Sequence, residues 1–391
     1  MKRLYCLFII ILCLAISIPS YAQFTINGKH IIYDKQNDTY MACIPEDAFG
    51  KDYEAIILLD IASDWSDLSI DGTQIAYSYT FKQVEGNKLY SIHARKGNKE
   101  INTKITFTFL PLLVLQGSFG YDYAQGSMSL YSPDATEPTI SLIKAKWRGG
   151  STNTADKHKR NYKIKSINFK GKSQDISLLG MREDNNWIMD AGQIDLFRLR
   201  NRIATEIWND FATKPYYASK EPKAKSGVTG KVVEVILNNE YRGIYSLTEA
   251  MDRKELKLKK YDDENQKFHG QLWKVSSWDK ATFWDIDKDY DNTQETWHAF
   301  ETKYPDIEDV NPTDYSPLYE AIDFVVNSND ETFKEEVGDY FDISVLIDYQ
   351  LFQETLKPVD NNGKNMYWGI YDVAKSKKLT LAIWDLDASV G

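Results

Sequence analysis

Residues 379–387 read Leu-Thr-Leu-Ala-Ile-Trp-Asp-Leu-Asp, an apolar run that ends on two carboxylates. The run predicts a buried strand, which would place Asp385 and Asp387 at its mouth. Carboxylates at the end of a buried strand are costly unless they meet a cation. Oxygen ligands of this kind suit Mg²⁺ or Mn²⁺, and the plain alternative is a solvated turn at the strand end.

A second polar cluster precedes this strand. Asp360 and Asn365 lie five residues apart, between a predicted helix at 343–356 and a predicted strand at 366–371. This is the Asp-to-Asn spacing of the protein-kinase catalytic loop, in which the Asp accepts a hydroxyl proton and the Asn holds Mg²⁺. The alternative is an Asn/Gly-rich turn before a hairpin. The two clusters stand in kinase order, 25 residues apart (385 − 360), which favours the catalytic interpretation.

A third cluster combines a small-residue loop with a basic strand. A strand at 140–147 runs into Arg148, Gly149, Gly150 and Ser151, and a strand from 161 to 169 follows. Backbone N–H groups of such a loop can hold phosphates, and a lysine can neutralise them. Lys163 and Lys165 share one strand face, so alternation cannot separate them. Taken alone, this motif is a weak signal for phosphate binding, because a Gly-Gly turn beside charged strand edges is common.

Export is predicted by residues 1–22. Lys2 and Arg3 precede an apolar run of about 15 residues, shorter than the roughly 20 that span a bilayer. Small residues at Ser20 and Ala22 make cleavage before Gln23 plausible. We therefore expect a secreted, periplasmic or cell-surface protein with no transmembrane anchor after cleavage.

Length and patterning predict two domains in the mature chain of about 369 residues (391 − 22). Residues 23–117 show strand-like runs with Gly, Asn and Asp between them, which predicts a β-sandwich-like module. Residues 118–138 are predicted to be a turn-rich linker. Residues 139–391 combine strands, a hairpin at 232–248 and helices, which is typical of a two-lobed α+β domain. One helix is predicted at 194–211, from apolar residues at helical spacing: Leu196, Leu199, Ile203, Ile207 and Phe211.

Composition and local patterns argue against a nucleic-acid partner, an internal disulfide and an EF-hand. The chain has 47 Lys+Arg against 57 Asp+Glu, a net charge of −10, and its locally basic run at 253–260 is short and typical of a solvated helix edge, so we expect no nucleic-acid partner. Cys43 is the only cysteine of the mature chain, so no internal disulfide is possible. An alternating acidic run at 285–291 lacks the Gly and Glu of an EF-hand, since Tyr290 and Thr296 stand there, and a solvated loop is the favoured interpretation.

Several motifs together resemble the spore-coat protein H (CotH) kinase family. Arg-Gly-Gly-Ser-Thr from 148 and Lys-Arg-Asn-Tyr-Lys-Ile-Lys from 159 resemble two of its segments. Leu-Arg-Asn-Arg from 199, Leu-Asn-Asn-Glu-Tyr-Arg-Gly-Ile-Tyr-Ser-Leu-Thr-Glu from 237, Lys364-Asn365 and Trp-Asp-Leu-Asp from 384 resemble others. The resemblance covers about residues 139–391. Gly150 stands where the family usually has Asn, no His precedes Asp360, and much of the usual C-lobe after Gly391 is absent.

The resemblance implies an atypical protein-kinase-like fold that binds ATP with Mg²⁺ or Mn²⁺ and phosphorylates protein Ser or Thr. It implies that Asp360 is the catalytic base and that the metal ligands are Asn365, Asp385 and Asp387. The nucleotide would be bound by Arg148, Gly149, Gly150, Ser151, Lys163 or Lys165, with Glu206 as a candidate lysine partner and Glu249 at the hinge near the adenine. An ordinary solvated helix residue is the alternative for Glu206.

Three functions remain open from the sequence. The first is an exported protein kinase. The second is a non-catalytic surface adhesin or carbohydrate-binding protein on a kinase-like fold. The third is phosphate transfer to a surface glycan or small molecule. Because ATP is scarce outside the cytoplasm, the predicted export fits poorly with the predicted nucleotide site.

Overall fold

The chain forms two compact units. A computed structural model describes residues 24–59, 66–154, 156–278 and 283–390. Across these residues the protein is a mixed α+β fold, rich in sheet and with few helices. The predicted signal peptide lies outside the described residues. No helix in these ranges combines the length and apolarity that crossing a membrane requires.

The first unit comprises Met1–Gly117, Gly126–Ser141 and Val233–Gly243. Some of its strands, such as that at 90–95, alternate buried with more exposed side chains, as expected for a sheet with one solvated face, whereas Thr39–Cys43 is buried throughout. Its strands are β1 (Phe24–Ile26), β2 (Lys29–His30), β3 (Ile32–Asp34), β4 (Thr39–Cys43), β5 (Tyr53–Leu59), β6 (Ser66–Ile70), β7 (Thr73–Gln74), β8 (Ser78–Phe81), β9 (Tyr90–Lys96), β10 (Lys99–Thr108) and β11 (Leu112–Gln116).

Two sheets form the N-terminal part of this unit. One has the order β2-β1-β5-β8 and the other the order β3-β4-β10-β9-β6-β7. All pairs described in them are antiparallel except β4 with β10. Ile57 and Phe81 of the first sheet share one core with Ile92, Ile105 and Phe107 of the second. Two sheets around one core are the arrangement of a β-sandwich.

The predicted linker at 118–138 contains a strand, β12 (Ala124–Tyr131), so the expectation of a turn-rich connection was wrong there. Met128 and Leu130 are buried, while Ser129 between them is partly exposed. The Gly, Ser and Tyr content of the segment concealed this alternation. In the first unit, β11 pairs with β12 and runs parallel to β16 (Gly230–Leu237).

The second unit comprises Ser118–Gln125, Leu142–Val232 and Ile244–Gly391. Its further strands are β13 (Thr139–Arg148), β14 (Asn161–Ile167), β15 (Asn186–Asp190), β17 (Glu240–Glu249), β18 (Gln271–Val275), β19 (Thr296–Trp297), β20 (Phe300–Tyr304), β21 (Met366–Asp372) and β22 (Ser376–Ile383). Its helices are α1 (Arg200–Phe211), α2 (Arg253–Leu256), α3 (Ser316–Asn327), α4 (Asp330–Tyr340) and α5 (Ile343–Leu356).

Two antiparallel groups of strands organise the second unit. In one, β14 pairs with β13 and β15, and β15 pairs with β17. The other is a five-stranded sheet in the order β19-β20-β18-β21-β22. The helices α3 and α5 bury apolar residues in the same core as this sheet, for example Leu318, Phe352, Trp273 and Leu381. The end of β22 therefore belongs to a well-packed part of the second unit.

Helix α1 differs from its prediction in start and in orientation. It begins at Arg200 rather than at Ile194, because the Asp195 carboxylate accepts hydrogen bonds from the backbone N–H groups of Phe197 and Arg200, each at 2.9 Å. Its buried side chains include Ala204 and Trp208. The predicted apolar stripe faces outward instead, with exposed fractions of 90% at Leu196, 52% at Ile203, 41% at Ile207 and 44% at Phe211.

One helix and one hairpin of the second half of the chain lie where the sequence predicted them. Helix α5 spans the predicted residues, Ile343–Leu356. The predicted hairpin is found as β16 and β17, with Asn238 and Asn239 at φ 53° and 64°. Positive φ at both turn residues is the requirement of a two-residue type I′ turn, which Asn satisfies more readily than most residues.

Candidate functional site

A basic sheet face is built by β13 and β14. In their register Lys144 lies opposite Lys165, and Lys146 lies opposite Lys163. Residues directly opposite in an antiparallel pair point to the same face, so the four lysines form one cationic surface. Lys146 and Lys165 both lie over the ring of Tyr123, at 4.9 and 5.0 Å from its centroid. The structure therefore puts Lys163 and Lys165 on the same surface, as the strand alternation requires.

On this face, the positive charge of Lys163 is not paired with an acidic side chain of the described residues. Burial lowers the pKa of Lys163, and the charges of Lys165, Lys146, Arg148 and Lys303 lower it further. In the part of the chain that the structure describes, Lys163 has no ion-pair partner. Such a surface favours a polyanion, because a bound anion would relieve the repulsion among the lysines.

Two more lysines of this neighbourhood were missed by the sequence argument. Lys274 on β18 is half-buried, and burial lowers its pKa while the charge of Asp385 opposes that effect. Lys303 on β20 lies close enough to influence both Lys163 and Lys274. A signal existed at Lys274, since it interrupts the otherwise buried strand Gln271–Val275.

The loop after β13 is shaped by glycine. Gly149 has φ 99°, and a Cβ at this position would come within 2.1 Å of Thr152 Oγ1. Only glycine fits there, so the loop backbone is exposed where a side chain would otherwise cover it. Gly150 precedes a 3₁₀ turn at Ser151–Asn153. The side chain of Ser151 lies outside the described residues.

Arg148 links this loop to the end of β22. Its guanidinium lies 5.5 Å from the centroid of the Trp384 ring, within the range of a cation–π interaction. The charge of Arg148 also lowers the pKa of Asp385, the residue after Trp384, and so opposes the effect of burial. The predicted nucleotide-binding Arg148 and the predicted metal ligand Asp385 are thus neighbours.

Asp360 and Asn365 are in direct contact. Asn365 Nδ2 donates to Asp360 Oδ2 at 2.8 Å, and Lys364 Nζ lies 3.4 Å from Asp360 Oδ1. Asn365 is buried, with φ 52°, whereas the carboxylate of Asp360 is 30% exposed. The loop therefore presents a partly accessible Asp360 carboxylate, whose orientation is held by Asn365 and Lys364.

Asn361, which was not among the predicted site residues, connects this loop to the residue after β22. Its buried Nδ2 donates to the backbone oxygens of Asn365 at 3.1 Å and Trp384 at 2.6 Å. The backbone oxygen of Asn361 in turn accepts from Gln353 Nε2 at 3.0 Å and from Tyr349 Oη on α5. Helix α5, the loop and the end of β22 are therefore held as one piece.

Asp385 and Asp387 are half-buried carboxyl groups with no ion-pair partner among the described residues. Burial raises the pKa of Asp385, and repulsion from Asp190 and Asp360 adds to the effect, against Arg148 and Lys274. Burial raises the pKa of Asp387 to about 7, with further repulsion from Asp385, Asp190 and Asp360. Asp385 also has φ 59°, the left-handed region in which non-glycine residues are strained.

Helix α1 fixes the segment between these two carboxyl groups. The backbone N–H of Leu386 donates to Asn201 Oδ1 at 3.1 Å, and Asn201 Nδ2 donates to Asp190 Oδ2 at 2.9 Å. Asp190, at the end of β15, was also missed from the sequence. One asparagine thus joins a helix, a strand end and the Asp385–Asp387 segment.

The donor set fits a hard divalent cation. Mg²⁺ is usually held by one or two carboxylates together with phosphate oxygens and water. Asp385 and Asp387 supply carboxylates, and Asn365 supplies an amide oxygen, because its nitrogen is already bonded to Asp360. Among the described residues, no three His, Cys, Asp or Glu side chains could hold a metal ion by themselves.

Glu206 and Glu249 lie apart from the basic face. Glu206 is 59% exposed and forms an ion pair with Arg202 one helical turn earlier, at 3.2 Å, so it does not pair with a lysine of β14. Glu249 is buried and accepts hydrogen bonds from the backbone N–H groups of Arg182 at 2.7 Å and Thr229 at 3.2 Å. The expected role of Glu206 is corrected for this reason.

Two carboxylates of the acidic run at 285–291 have local partners. Asp287 lies 3.0 Å from the Nδ1 atom of the buried His298. Asp291 accepts from Thr293 at 2.8 Å and 2.6 Å within its own turn. These two carboxylates serve local structure.

A basic sheet face beside carboxylates on two loops is typical of proteins that handle phosphate groups with a divalent cation. The family described as CotH kinase protein matches residues 145–391, which is more than half of the sequence. The chain therefore belongs to the CotH kinase protein family, and the family predicted from the motifs is confirmed. Membership indicates a kinase-like function. A comparison with curated proteins gave no match.

Proposed function

We propose that the protein is an exported protein Ser/Thr kinase that depends on ATP and on Mg²⁺ or Mn²⁺. The observation that carries the proposal is the pairing of Asp360 with Asn365 at 2.8 Å on a loop tied by Asn361 to the strand end of Asp385. The basic face of β13 and β14 supplies the charge that a triphosphate needs.

Asp360 is the residue that would receive the proton of the acceptor hydroxyl. Its carboxylate is partly exposed, and Asn365 and Lys364 hold it in one orientation. A base fixed in this way loses little entropy when the acceptor arrives. Proton removal by a positioned carboxylate contributes about 10²–10⁴-fold to such reactions.

The remaining residues of the site would bind and neutralise the nucleotide. Asn365, Asp385 and Asp387 would hold the metal ion, which when bound neutralises charge on the transferring phosphoryl group. Arg148, Lys163 and Lys165 would pair with the phosphates, and the backbone at 149–150 would donate hydrogen bonds. Phosphoryl transfer is accelerated mainly by such positioning and electrostatics.

The predicted adenine contact at Glu249 would use its backbone. Both carboxylate oxygens of Glu249 already accept hydrogen bonds, from Arg182 and Thr229. The side chain would therefore stiffen the end of β17 rather than touch the base. This is compatible with a hinge position and removes the carboxylate from nucleotide recognition.

Export and the acceptor are part of the proposal and rest on the sequence. Residues 1–22 predict secretion to the periplasm or the cell surface. The partner would be a protein with a Ser or Thr hydroxyl, and a surface glycan is the alternative acceptor. Export requires that nucleotide be supplied outside the cytoplasm or that the reaction occur in transit.

The test is transfer of labelled γ-phosphate from ATP to the chain itself and to casein, with Mg²⁺ or Mn²⁺. Asp360→Asn keeps the size of the side chain and an oxygen for Asn365, but it removes the base. We expect this substitution to lower the rate by about 100-fold or more. Glu354→Gln, a change at an exposed carboxylate of α5, is the matched control and should transfer at the wild-type rate.

Equal transfer by wild-type protein and Asp360→Asn would overturn the assignment of the base. No transfer by the wild-type protein, together with no thermal shift from ATP and metal, would favour a non-catalytic adhesin or carbohydrate-binding protein. Transfer to a glycan panel but not to protein would replace the acceptor and keep the chemistry.

A further inference from the structure

A cavity of about 760 Å³ lies in the second unit; of the residues proposed for the phosphoryl-transfer site, only Glu249, at the predicted adenine end, lines it. Helix α1, the segment at 222–231, the end of β17 and the residues before β15 border it. Its size falls in the range of small-molecule sites, about 300–1,000 Å³. Neither the basic face of β14 nor the carboxyl groups of Asp360, Asp385 and Asp387 line it.

Arg202 separates this cavity from the phosphoryl-transfer residues. It lines the cavity and also a smaller pocket that contains Arg148 and Asp385. Its Nη2 donates to the backbone oxygen of Val228 at 3.0 Å, and its guanidinium packs closely against Gly230. At 4% exposure, the side chain forms a wall between the two spaces.

The base of the cavity contains a buried polar atom without a partner. Glu255 is 3% exposed, and its Oε2 accepts from Arg182 Nη1 at 2.6 Å, while its Oε1 has no hydrogen bond in the structure. Burial raises the pKa of Glu255 to about 8, and the charge of Glu249 adds to this. The unpartnered Oε1 is a buried polar atom that a polar group of a ligand could satisfy.

The rim of the cavity is cationic in an otherwise acidic chain. The chain carries a net charge of −10, yet five lysines surround this opening against two exposed acids, Glu206 and Asp210. Lys223 and Lys231 are exposed and form no ion pair with any described residue. The five lysines are Lys214, Lys223, Lys225, Lys231 and Lys257.

We propose that this cavity is a second ligand site that takes a small molecule with a phosphate or polyphosphate group. The lysines of the rim would neutralise the phosphate charge, and the Glu255 carboxyl group and Arg202 would contact the deeper part of the ligand. This site is distinct from the metal and triphosphate residues. The proposal does not rest on the kinase activity, because it concerns binding alone.

The position of the cavity gives the ligand a physical route to the other site. A ligand would contact α1 at Arg202 and Glu206, and α1 carries Asn201 on a neighbouring face. Asn201 holds the backbone of Leu386 at 3.1 Å, between Asp385 and Asp387. Occupancy would therefore restrain the helix that positions the predicted metal ligands, which makes the site regulatory.

The test titrates inorganic pyrophosphate into the full chain in the presence of EDTA, with binding measured by calorimetry. Lys163→Met serves as the background, because it weakens anion binding at the basic face of β14, and the rim substitutions then identify the site that binds. In this background we expect saturable binding at one site. Adding Lys223→Glu and Lys231→Glu should weaken the affinity at least tenfold, whereas Lys223→Arg with Lys231→Arg should preserve it.

Each outcome decides the proposal. Both lysines are exposed, so the far-ultraviolet circular dichroism spectrum should be the same for all variants. The proposal fails if the Lys163→Met protein binds no pyrophosphate at millimolar concentration. It also fails if the charge-reversed and charge-conserving variants bind equally well, because the rim would then have no role. Neither result depends on whether phosphate is transferred from ATP.

Discussion

Two groups of carboxyl side chains in the second unit differ in how their charge is balanced. Around Arg182, its guanidinium contacts Asp184 at 2.7 Å and Asp252 at 3.0 Å, and Lys254 contacts Asp184 at 2.8 Å. Around Asp360, only Lys364 approaches, at 3.4 Å. Asp385 and Asp387 have no ion-pair partner among the described residues.

The pKa directions express the same contrast. Burial opposes ionisation of Asp184, yet the hydrogen bond from Lys254 and the charge of Arg182 hold its pKa below the usual value. Burial and mutual repulsion raise the pKa values of Asp385 and Asp387. A balanced buried group stabilises a fold, whereas an unbalanced one in a cleft is a candidate for ligand binding. The two groups should therefore respond oppositely to mutation.

The largest effect is expected from Arg182→Met. The substitution leaves Asp184 and Asp252 without their shared cation, and removing one partner of a buried pair costs about 3–5 kcal/mol of unfolding free energy. Urea unfolding followed by circular dichroism would measure the loss. Lys259→Met is the control, since it removes a half-exposed ion pair with Glu221, for which about 0–1 kcal/mol is expected. Similar losses in the two variants would contradict the structural role of Arg182.

Asp385→Asn should behave in the opposite way. Removing one of several repelling carboxyl groups should leave the melting temperature of the metal-free protein unchanged or raise it by a few degrees. The same change should abolish the thermal shift caused by Mg²⁺ or Mn²⁺ and lower phosphate transfer by about 100-fold or more. Asp309→Asn, at an exposed carboxylate, should change neither. A metal-induced shift that survives in Asp385→Asn would remove this residue from the metal site.

A pH series tests Glu255, a further partner of Arg182 at 2.6 Å, whose pKa is raised although that of its neighbour Asp184 is lowered. The folded-state pKa of Glu255 is raised from 4.5 to about 8, mainly by burial. Between these values the folded protein binds a proton that the unfolded chain has lost, so stability falls as pH rises through this window. Glu255→Gln should flatten the fall, measured as melting temperature from pH 5 to pH 8. An unchanged slope would show that Glu255 ionises freely in the folded protein.

The smallest effect is expected at Asn201. Asn201→Ala removes two hydrogen bonds, to Asp190 and to the backbone of Leu386, and should cost about 1–2 kcal/mol of unfolding free energy. We expect kcat for phosphate transfer to fall several-fold, because the Asp385–Asp387 segment would be less well positioned. Asn327→Ala, on the exposed side of α3, is the control and should alter stability by under about 0.5 kcal/mol. A normal kcat in Asn201→Ala would show that α1 does not position this segment.

Local signals explain what the sequence predicted well. Helix α5 and the hairpin of β16 and β17 were found where periodicity and the Asn238-Asn239 turn placed them. The contact of Asp360 with Asn365 also follows from short spacing on one loop. In each case the interacting residues are near in sequence, so the pattern contains the geometry.

Long-range contacts explain what the sequence did not predict. Lys274, Asp190 and Asn361 come from three separate segments, and only the tertiary fold brings them near Asp385. The apolar stripe at Ile203 and Ile207 predicted the wrong buried face of α1 for a related reason. Helical spacing identifies a face but not its partner, and α1 buries Trp208 and Arg202 instead.

The left-handed backbone at Asn365 and Asp385 has an evolutionary consequence. Both residues hold φ values near +50° to +60°, where glycine would avoid a cost of roughly 1 kcal/mol. Selection for stability alone would thus favour glycine at both positions, and only a need for the side chains retains Asn and Asp. Lineages that abandon the activity should drift towards glycine at these two sites first, which makes the pair a marker of descent into pseudoenzymes.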